Sequence, residues 1–438
     1  MKKTGQIIFV IVLSSLLVQC SFSAESGNGA QALEEVITLA STNKSHLLST
    51  ETEEIPNVNA PTLSIASPTV TNQVPTSTPE LRPGISQECL NISPKPSKDN
   101  QRKGKIVFLE NNKNNKHLLY DLETGKKKDI PNVENYLIVS PNQKMFAYED
   151  AQSQKLMIFT SDGQLLRSME RKKDWGFLGK WQNNEQIIFP KYVDPPNEEY
   201  PHSLIVLNPF SGEEQILQPK YPNIENTSYR LEWEGSGTTV YDPMITEVVY
   251  PGYIEGKGMG YILFDIKDKT KLTELPSSVF GNTPKWFLDG SKFIVNARGG
   301  EFYLITRDGD IKQITHMNPA YDPSKNDFNY ESYFYSLSPD ERYLALWLTS
   351  SLTKDTTLAI LNISTGEVTD FCIPHGPDPL VMPYMPIPIW SPDSKAIVVD
   401  ANYQNGGNGN DVILIDLIEK NAIRIDQNLT PVGWLALP

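Results

Sequence analysis

Trp390-Ser391-Pro392-Asp393, followed after two further residues by Ala396-Ile397-Val398-Val399, is the stretch that decides the fold of this chain. It joins an aromatic strand end, a tight turn and an apolar strand. Proline presets φ for a turn, and Asp, Asn or Gly beside it tolerate unusual backbone angles. The unit recurs as Ser338-Pro339-Asp340 before Tyr343–Trp347, and as Ser140-Pro141-Asn142 before Met145–Tyr148. Looser copies begin at Trp286 and Trp181, and the most degraded is Tyr241-Asp242-Pro243 before Val248-Val249-Tyr250.

A second unit is an apolar strand that ends in a hairpin turn, as in Leu118-Leu119-Tyr120-Asp121 before Thr124-Gly125. Its copies end at residues 121, 160, 208, 265, 306, 362 and 416. The mean spacing is about 49 residues, within the range of propeller repeats. Short β-rich runs separated by turn signals read as all-β. The expected architecture is therefore a single β-propeller, with seven four-stranded blades as the leading count and six and eight left open. The first blade opens at its second strand, Lys105–Leu109, and the C-terminus supplies a spare strand over Val432–Leu437. Insertion of that last strand into the first blade would close the ring and remove exposed sheet edges. A sandwich or a β-helix explains neither the period nor the spare strand.

The Ser-Pro-Asp repeats at Ser140, Ser338 and Ser391 resemble those of TolB-type, WD-like propellers of bacterial envelopes. The resemblance covers about residues 104–438. It implies the fold well and the function poorly, because such propellers scaffold many activities. Some relatives carry a C-terminal α/β-hydrolase domain, which this chain is expected to lack.

The N-terminus carries an address. Lys2 and Lys3 precede an apolar run from Ile7 to Val18, too short to span a bilayer but suited to the h-region of a secretory signal. The tail Leu17-Val18-Gln19-Cys20 resembles the lipobox of bacterial lipoproteins, which implies lipid attachment at Cys20. Gln19 departs from the small residue usual in that pattern, and cleavage after Ser23 is the alternative. Either route takes the protein out of the cytoplasm. The expected organisation is a lipoprotein signal peptide over 1–19, a tether over 20–103 and the propeller over 104–438. Between residues 51 and 100 stand eight prolines among Ser, Thr and Asn. Such composition offsets too little of the entropy of ordering, so a disordered tether is expected. Export makes a Cys89–Cys372 disulfide a candidate, against two separate buried thiols.

The formal net charge is −14 and the composition is 39% hydrophobic, which argues for a large core and against broad contact with nucleic acid. No G-x-S-x-G elbow, Walker loop or dinucleotide fingerprint occurs. No catalytic residue, cofactor or metal is expected. Asn405–Asp411 is Gly-rich but lacks the alternating acids of a calcium loop, and reads as a loop tip.

Loop length supplies the asymmetry. In a blade with strands A to D from centre to edge, the A–B and C–D turns share one face and are short here. The B–C candidates 192–202, 252–259, 349–355 and 402–410, and the D–A candidates 218–230, 317–333 and 373–386, share the other. Loops on rigid scaffolds are where binding usually resides. Tyr321, Asp327, Tyr330, Tyr384 and Tyr403 form the candidate binding face, with tyrosine–tyrosine loop packing as the alternative. The seven loops carry a net charge of −5, which again disfavours nucleic acid. The expected function is a monomeric, non-enzymatic envelope protein that binds or scaffolds a protein, peptide or glycan and meets the membrane through its lipid. The competing expectation is a secreted enzyme acting on glycans or peptides, with Asp322, Asp327 and Glu331 as its acids.

Overall fold

A computed structural model describes residues 84–93 and 102–437, apart from 111–115, 177–178, 192–202, 218–239, 255–257, 267–271, 277, 279–280, 298–299, 319–328, 376–386 and 402–410. The signal, lipobox and most of the expected tether lie outside the described residues. Regular structure among the described residues is β-strand, arranged in seven sheets. Each sheet contains one up-and-down, four-stranded blade, numbered in chain order: blade 1 over Lys105–Ile130 with Leu429–Leu435, blade 2 over Val133–Glu170, blade 3 from Lys180 to Leu217, blade 4 from Val240 to Leu275, blade 5 from Lys285 to Gln313, blade 6 from Tyr330 to Pro374 and blade 7 from Ile389 to Gln427. Blade 6, for example, runs Tyr330–Leu337, Tyr343–Ser350, Thr356–Asn362 and Val368–Pro374 from centre to edge.

The core shows why the second and third strands of the blades are apolar without interruption. A blade between two neighbours is buried on both faces, so alternate side chains serve alternate interfaces. Ile397 and Val399 pack toward blade 6, whereas Ala396 and Val398 pack toward blade 1. Seven hydrophobic clusters result, one between each adjacent pair of blades. That is the count of a closed seven-membered ring. The strand that closes it is C-terminal: Leu429–Leu435 pairs antiparallel with Lys105–Glu110 as the innermost strand of blade 1.

The Ser-Pro-Asp turn is a hydrogen-bonded device. Ser391 Oγ donates to Asp393 Oδ1 at 2.6 Å and accepts the Ala396 N–H at 2.9 Å. Ser338 repeats this with Asp340 and Tyr343, and Ser140 with Asn142 and Met145. The residue after the third position turns left-handed, with φ of 59° at Gln143, 60° at Glu341 and 58° at Ser394. In the Trp286 copy Gly290 takes that role at φ 67°.

These turns also join neighbouring blades. Asn142 N–H donates to Asn184 Oδ1, Asn183 Nδ2 to the Pro243 carbonyl, and Asp340 N–H to Ser394 Oγ. The Leu288 N–H donates to Glu341 Oε1, and Arg102 reaches both Asp393 and Asp416. Inner-strand tryptophans add to the ring: Trp286 Nε1 donates to the Val240 carbonyl and Trp390 Nε1 to the Ser336 carbonyl of the preceding blade.

The folded body begins earlier than the expected boundary at 104. Ile85–Gln87 adds a parallel strand to the outer edge of blade 6, and Ile92–Ser93 adds one to blade 7. Between them Cys89 is bonded to Cys372, with the two Cα atoms 4.8 Å apart. Cys372 sits where the pairing of the last two strands of blade 6 slips, in left-handed backbone at φ 58°, with its N–H held by Asp370 Oδ1. This strap covers two sheet edges that would otherwise offer unpaired backbone groups.

Two expected loops are shorter than their composition suggests. In blade 4 the backbone pairing continues to Ile254 opposite Gly258, so the described residues of 252–259 are paired strand. In blade 6 the connection 351–355 is a turn closed by Lys354 N–H to the Ser350 carbonyl, with Lys354 at φ 63°.

Candidate functional site

Of the candidate face, Tyr330 alone lies among the described residues; Tyr321, Asp327, Tyr384 and Tyr403 lie outside them, as does Asp322. Tyr330 begins the inner strand of blade 6, half-buried against the cluster shared with blade 5. Its backbone is clamped by Asn318, whose Oδ1 accepts the Tyr330 N–H and whose Nδ2 donates to the Tyr330 carbonyl, both at 2.8 Å. Asn318 N–H in turn donates to Glu301 Oε1, and Thr315 Oγ1 donates to Glu301 Oε2, each at 2.6 Å. Glu301, Thr315 and Asn318 are buried. The long connection between blades 5 and 6 is therefore rooted at both ends in a satisfied polar network. Glu331 follows Tyr330 on the same strand, opposite Thr349.

At the short-turn end, the propeller axis widens into a cavity of about 440 Å³. Every blade contributes to its wall, through Gly433, Val139, Lys180, Val240, Trp286, Ser336 and Ile389 in blade order. Pro141, Pro243 and Pro339 of the turns line its mouth. The wall is mostly apolar, and its charged members are Lys180, Lys285 and Glu341.

The local sequence explains how the two lysines reach this wall. Each precedes a tryptophan on a two-residue inner strand, Lys180-Trp181 and Lys285-Trp286, paired with Ile188-Ile187 and Ile294-Phe293 respectively. Successive strand residues point to opposite sides, so the tryptophan enters the interblade core and the lysine faces the other way. Gly179, just ahead of Lys180, lies so close to the next strand that a Cβ there would meet the Ile188 carbonyl at 2.1 Å. Ahead of Lys285, the Tyr261 hydroxyl donates to the carbonyls of Gly281 and Asn282 at 2.9 and 2.8 Å, and Tyr335 donates to the Thr283 carbonyl. Two buried tyrosines from blades 4 and 6 thus fix the entry to that strand.

The Lys285 ammonium is pushed down to about 8 by burial, with the charge of Lys180 acting in the same direction. Glu341 is shifted the other way, its carboxyl raised mainly by burial. The lysine pair escapes a search of the sequence for motifs because its members are 105 positions apart. The signal was there in part: two of the aromatic inner strands carry Lys-Trp where others read Ile389-Trp390 and Gly433-Trp434. Among the described residues no group of three or more His, Cys, Asp or Glu is arranged to hold a metal ion. No helix among them is long and apolar enough to cross a membrane.

No protein-family model matches the sequence, and no curated protein matches it. Solved structures do resemble it. TolB from Acinetobacter baumannii aligns over 81% of this chain and 97% of its own, at 12% identity and a TM-score of 0.39. An oligogalacturonate lyase from Vibrio parahaemolyticus aligns over 74% of this chain and 86% of its own, at 16% identity and a TM-score of 0.45. The Cps50 (Swd1) β-propeller domain from Myceliophteria thermophila aligns over 74% and 95%, at 14% identity and a TM-score of 0.39. At such identities the likeness concerns the fold alone: this chain is a seven-bladed β-propeller similar in architecture to TolB proteins and WD-type propeller domains.

Proposed function

We propose that this protein is a non-enzymatic binding or scaffolding module of the cell envelope, tethered to a membrane through lipid on Cys20, and that it presents its long-loop face to a protein, peptide or glycan. The observation that carries this reading is the contrast between the two ends of the propeller. At one end, turn-to-turn hydrogen bonds join neighbouring blades into a stiff ring. At the other, the longest connections spring from ordered roots such as the Glu301–Thr315–Asn318–Tyr330 box. Variable loops on a rigid frame are the usual construction of a recognition surface.

The test is a panel of defined envelope oligosaccharides and peptides titrated onto the full chain, with thermal unfolding as the readout. A panel member that raises the unfolding temperature at saturation, and does so less after substitution of Tyr330 by Ala, supports the reading. Conversion of a panel member to product would replace it with the enzyme reading. For the anchor, Cys20→Ala is expected to move the protein from the membrane fraction to the soluble fraction; retention in the membrane would exclude lipid attachment there.

A further inference from the structure

We propose that the strap over Ile85–Ser93 is a disulfide-latched cover on a strand-addition site formed by the outer edges of blades 6 and 7. Reduction of the Cys89–Cys372 bond releases the strap, and the freed edges take an extended segment of a partner protein. This goes beyond the reading of the long-loop face, because it places a second interaction surface on the rim of the propeller.

The covered edges are the two with the most backbone to offer. The outer strands of blades 6 and 7, Val368–Pro374 and Asn421–Gln427, have seven residues each. Those of blades 1 to 5 have four, six, four, four and three. The strap uses little of that length. It pairs with Val368, Thr369 and Asp370 on blade 6 and with Ala422 and Ile423 on blade 7. Two further backbone bonds, from Glu88 N–H to the Asp370 carbonyl and from Leu90 N–H to the Phe371 carbonyl, extend its hold on blade 6. A strand running the length of either edge therefore makes more ladder bonds than the strap does.

Apart from the covalent bond, the strap is held lightly. No residue from Gly84 to Ser93 is fully buried. Ile85, Leu90 and Ile92 are half-buried, the first against the cluster between blades 5 and 6 and the others against that between blades 6 and 7. Glu88 meets Lys420 at 2.7 Å, but both side chains are exposed, and such pairs are worth little. Segments with few buried contacts and exposed hydrogen bonds open at low free energy. The disulfide removes that freedom by joining positions 283 residues apart. Opening leaves the ring complete, because blades 6 and 7 keep four strands each.

The chemistry balances with a protein dithiol as the reductant. One thiolate of the dithiol attacks Sγ of Cys89, which is exposed, whereas Cys372 is half-buried. The Cys89–Cys372 bond breaks, and Cys372 leaves as a thiolate that takes up a proton. The second thiol of the dithiol attacks the mixed disulfide and releases Cys89 as a thiol. Two electrons and two protons have then entered this chain, and the dithiol has become a disulfide. The strap itself defines what the uncovered edges accept. It is a short extended segment, parallel to the outer strands, apolar where Ile85, Leu90 and Ile92 lie and acidic where Glu88 meets Lys420.

The experiment is amide hydrogen exchange on the full chain, oxidised and after dithiothreitol, with a synthetic peptide of residues 84–93 carrying Cys89→Ser as the probe. Reduction is expected to speed exchange at the Glu88 and Leu90 amides by at least about tenfold, while thermal unfolding stays cooperative. The peptide should bind the reduced chain at least about tenfold more tightly than the oxidised chain, and slow exchange along Val368–Pro374 and Asn421–Gln427. The same peptide with Ile85→Ser, Leu90→Ser and Ile92→Ser should not bind. Cys89→Ser in the full chain opens the latch without a reductant and should behave as the reduced chain does; if that variant does not fold, the reduced chain decides. Unchanged exchange in the strap after reduction would overturn the latch. Loss of the cooperative transition on reduction would overturn it too, since the strap would then belong to the ring. Opening without peptide binding would overturn the strand-addition site. None of these readouts involves the long-loop face, so failure of the ligand panel leaves this proposal standing, and failure here leaves the panel result standing.

Discussion

Removal of Leu429–Pro438 is expected to abolish the cooperative unfolding transition of the propeller and leave an aggregating chain. The strand it removes pairs along its length with Lys105–Glu110, as the innermost strand of blade 1. Without it, blade 1 keeps three strands and exposes an edge lined by residues that are now fully buried, including Ile106 and Phe108. Trp434 packs with those two residues in the apolar cluster between blades 7 and 1 and is its largest side chain. Trp434→Ala should itself cost about 3–5 kcal/mol, in the range for loss of a buried aromatic. A peptide spanning 429–438 added to the truncated chain should restore the transition, because its binding supplies the missing strand pairing and couples to folding. A truncated chain that melts like the full one would mean that the ring does not depend on this closure.

The second large effect is expected at Asp242. Its side chain is fully buried at the junction of blades 4 and 5 and accepts four hydrogen bonds. Oδ1 takes the N–H groups of Thr246 and Glu247 at 2.6 and 2.7 Å, and Oδ2 takes Thr246 Oγ1 at 3.0 Å and Arg307 Nη1 at 3.1 Å. Asp242→Ala strands two backbone donors and leaves the Arg307 guanidinium, which also lies 3.3 Å from Glu247, with one acceptor fewer. The expected loss is about 3–5 kcal/mol in chemical denaturation, because one partner of a buried network is removed while the other remains. Asp242→Asn retains an acceptor and should lose about half as much. Equal stability of both variants and the parent would show that the turn, and not the network, holds this junction.

Asp242 also shows what the sequence made legible and what it hid. Aligned on the turn, Tyr241-Asp242-Pro243-Met244-Ile245 matches Trp390-Ser391-Pro392-Asp393-Ser394. At Ser391 a hydroxyl and a following Asp share the work, whereas Asp242 alone accepts the backbone donors. The third position is then free to be Met244, and Ile245 takes the left-handed φ of 56°. The copy looks degraded because its chemistry moved by two positions. The strong copies carried the blade count, and six of the seven hairpin ends coincide with the last residue of a third strand.

What stayed hidden depended on distance or on backbone alone. The strap strands Ile85–Gln87 and Ile92–Ser93 are too short to carry an alternating pattern, and their partners are 283 and 330 positions away. The disulfide was a candidate from export and cysteine number; the bulge at Cys372 that makes it geometrically feasible could not be read. The pairing in blade 4 runs through Gly252, where the expected loop opens, and continues past it to Ile254. Lys180 and Lys285, on blades 3 and 5, come to line one cavity because the inner strands of all the blades face a common axis.

The central claim, that this propeller binds and does not transform, is tested most directly by the chemical fate of whatever panel member the full chain retains. The ligand is held at saturation through many times its residence time, released by denaturation and weighed by mass spectrometry. Recovery of the ligand with its mass unchanged is the predicted result. Accumulation of a cleaved or eliminated product that disappears with Asp327→Asn would contradict the account and make the long-loop face an active site.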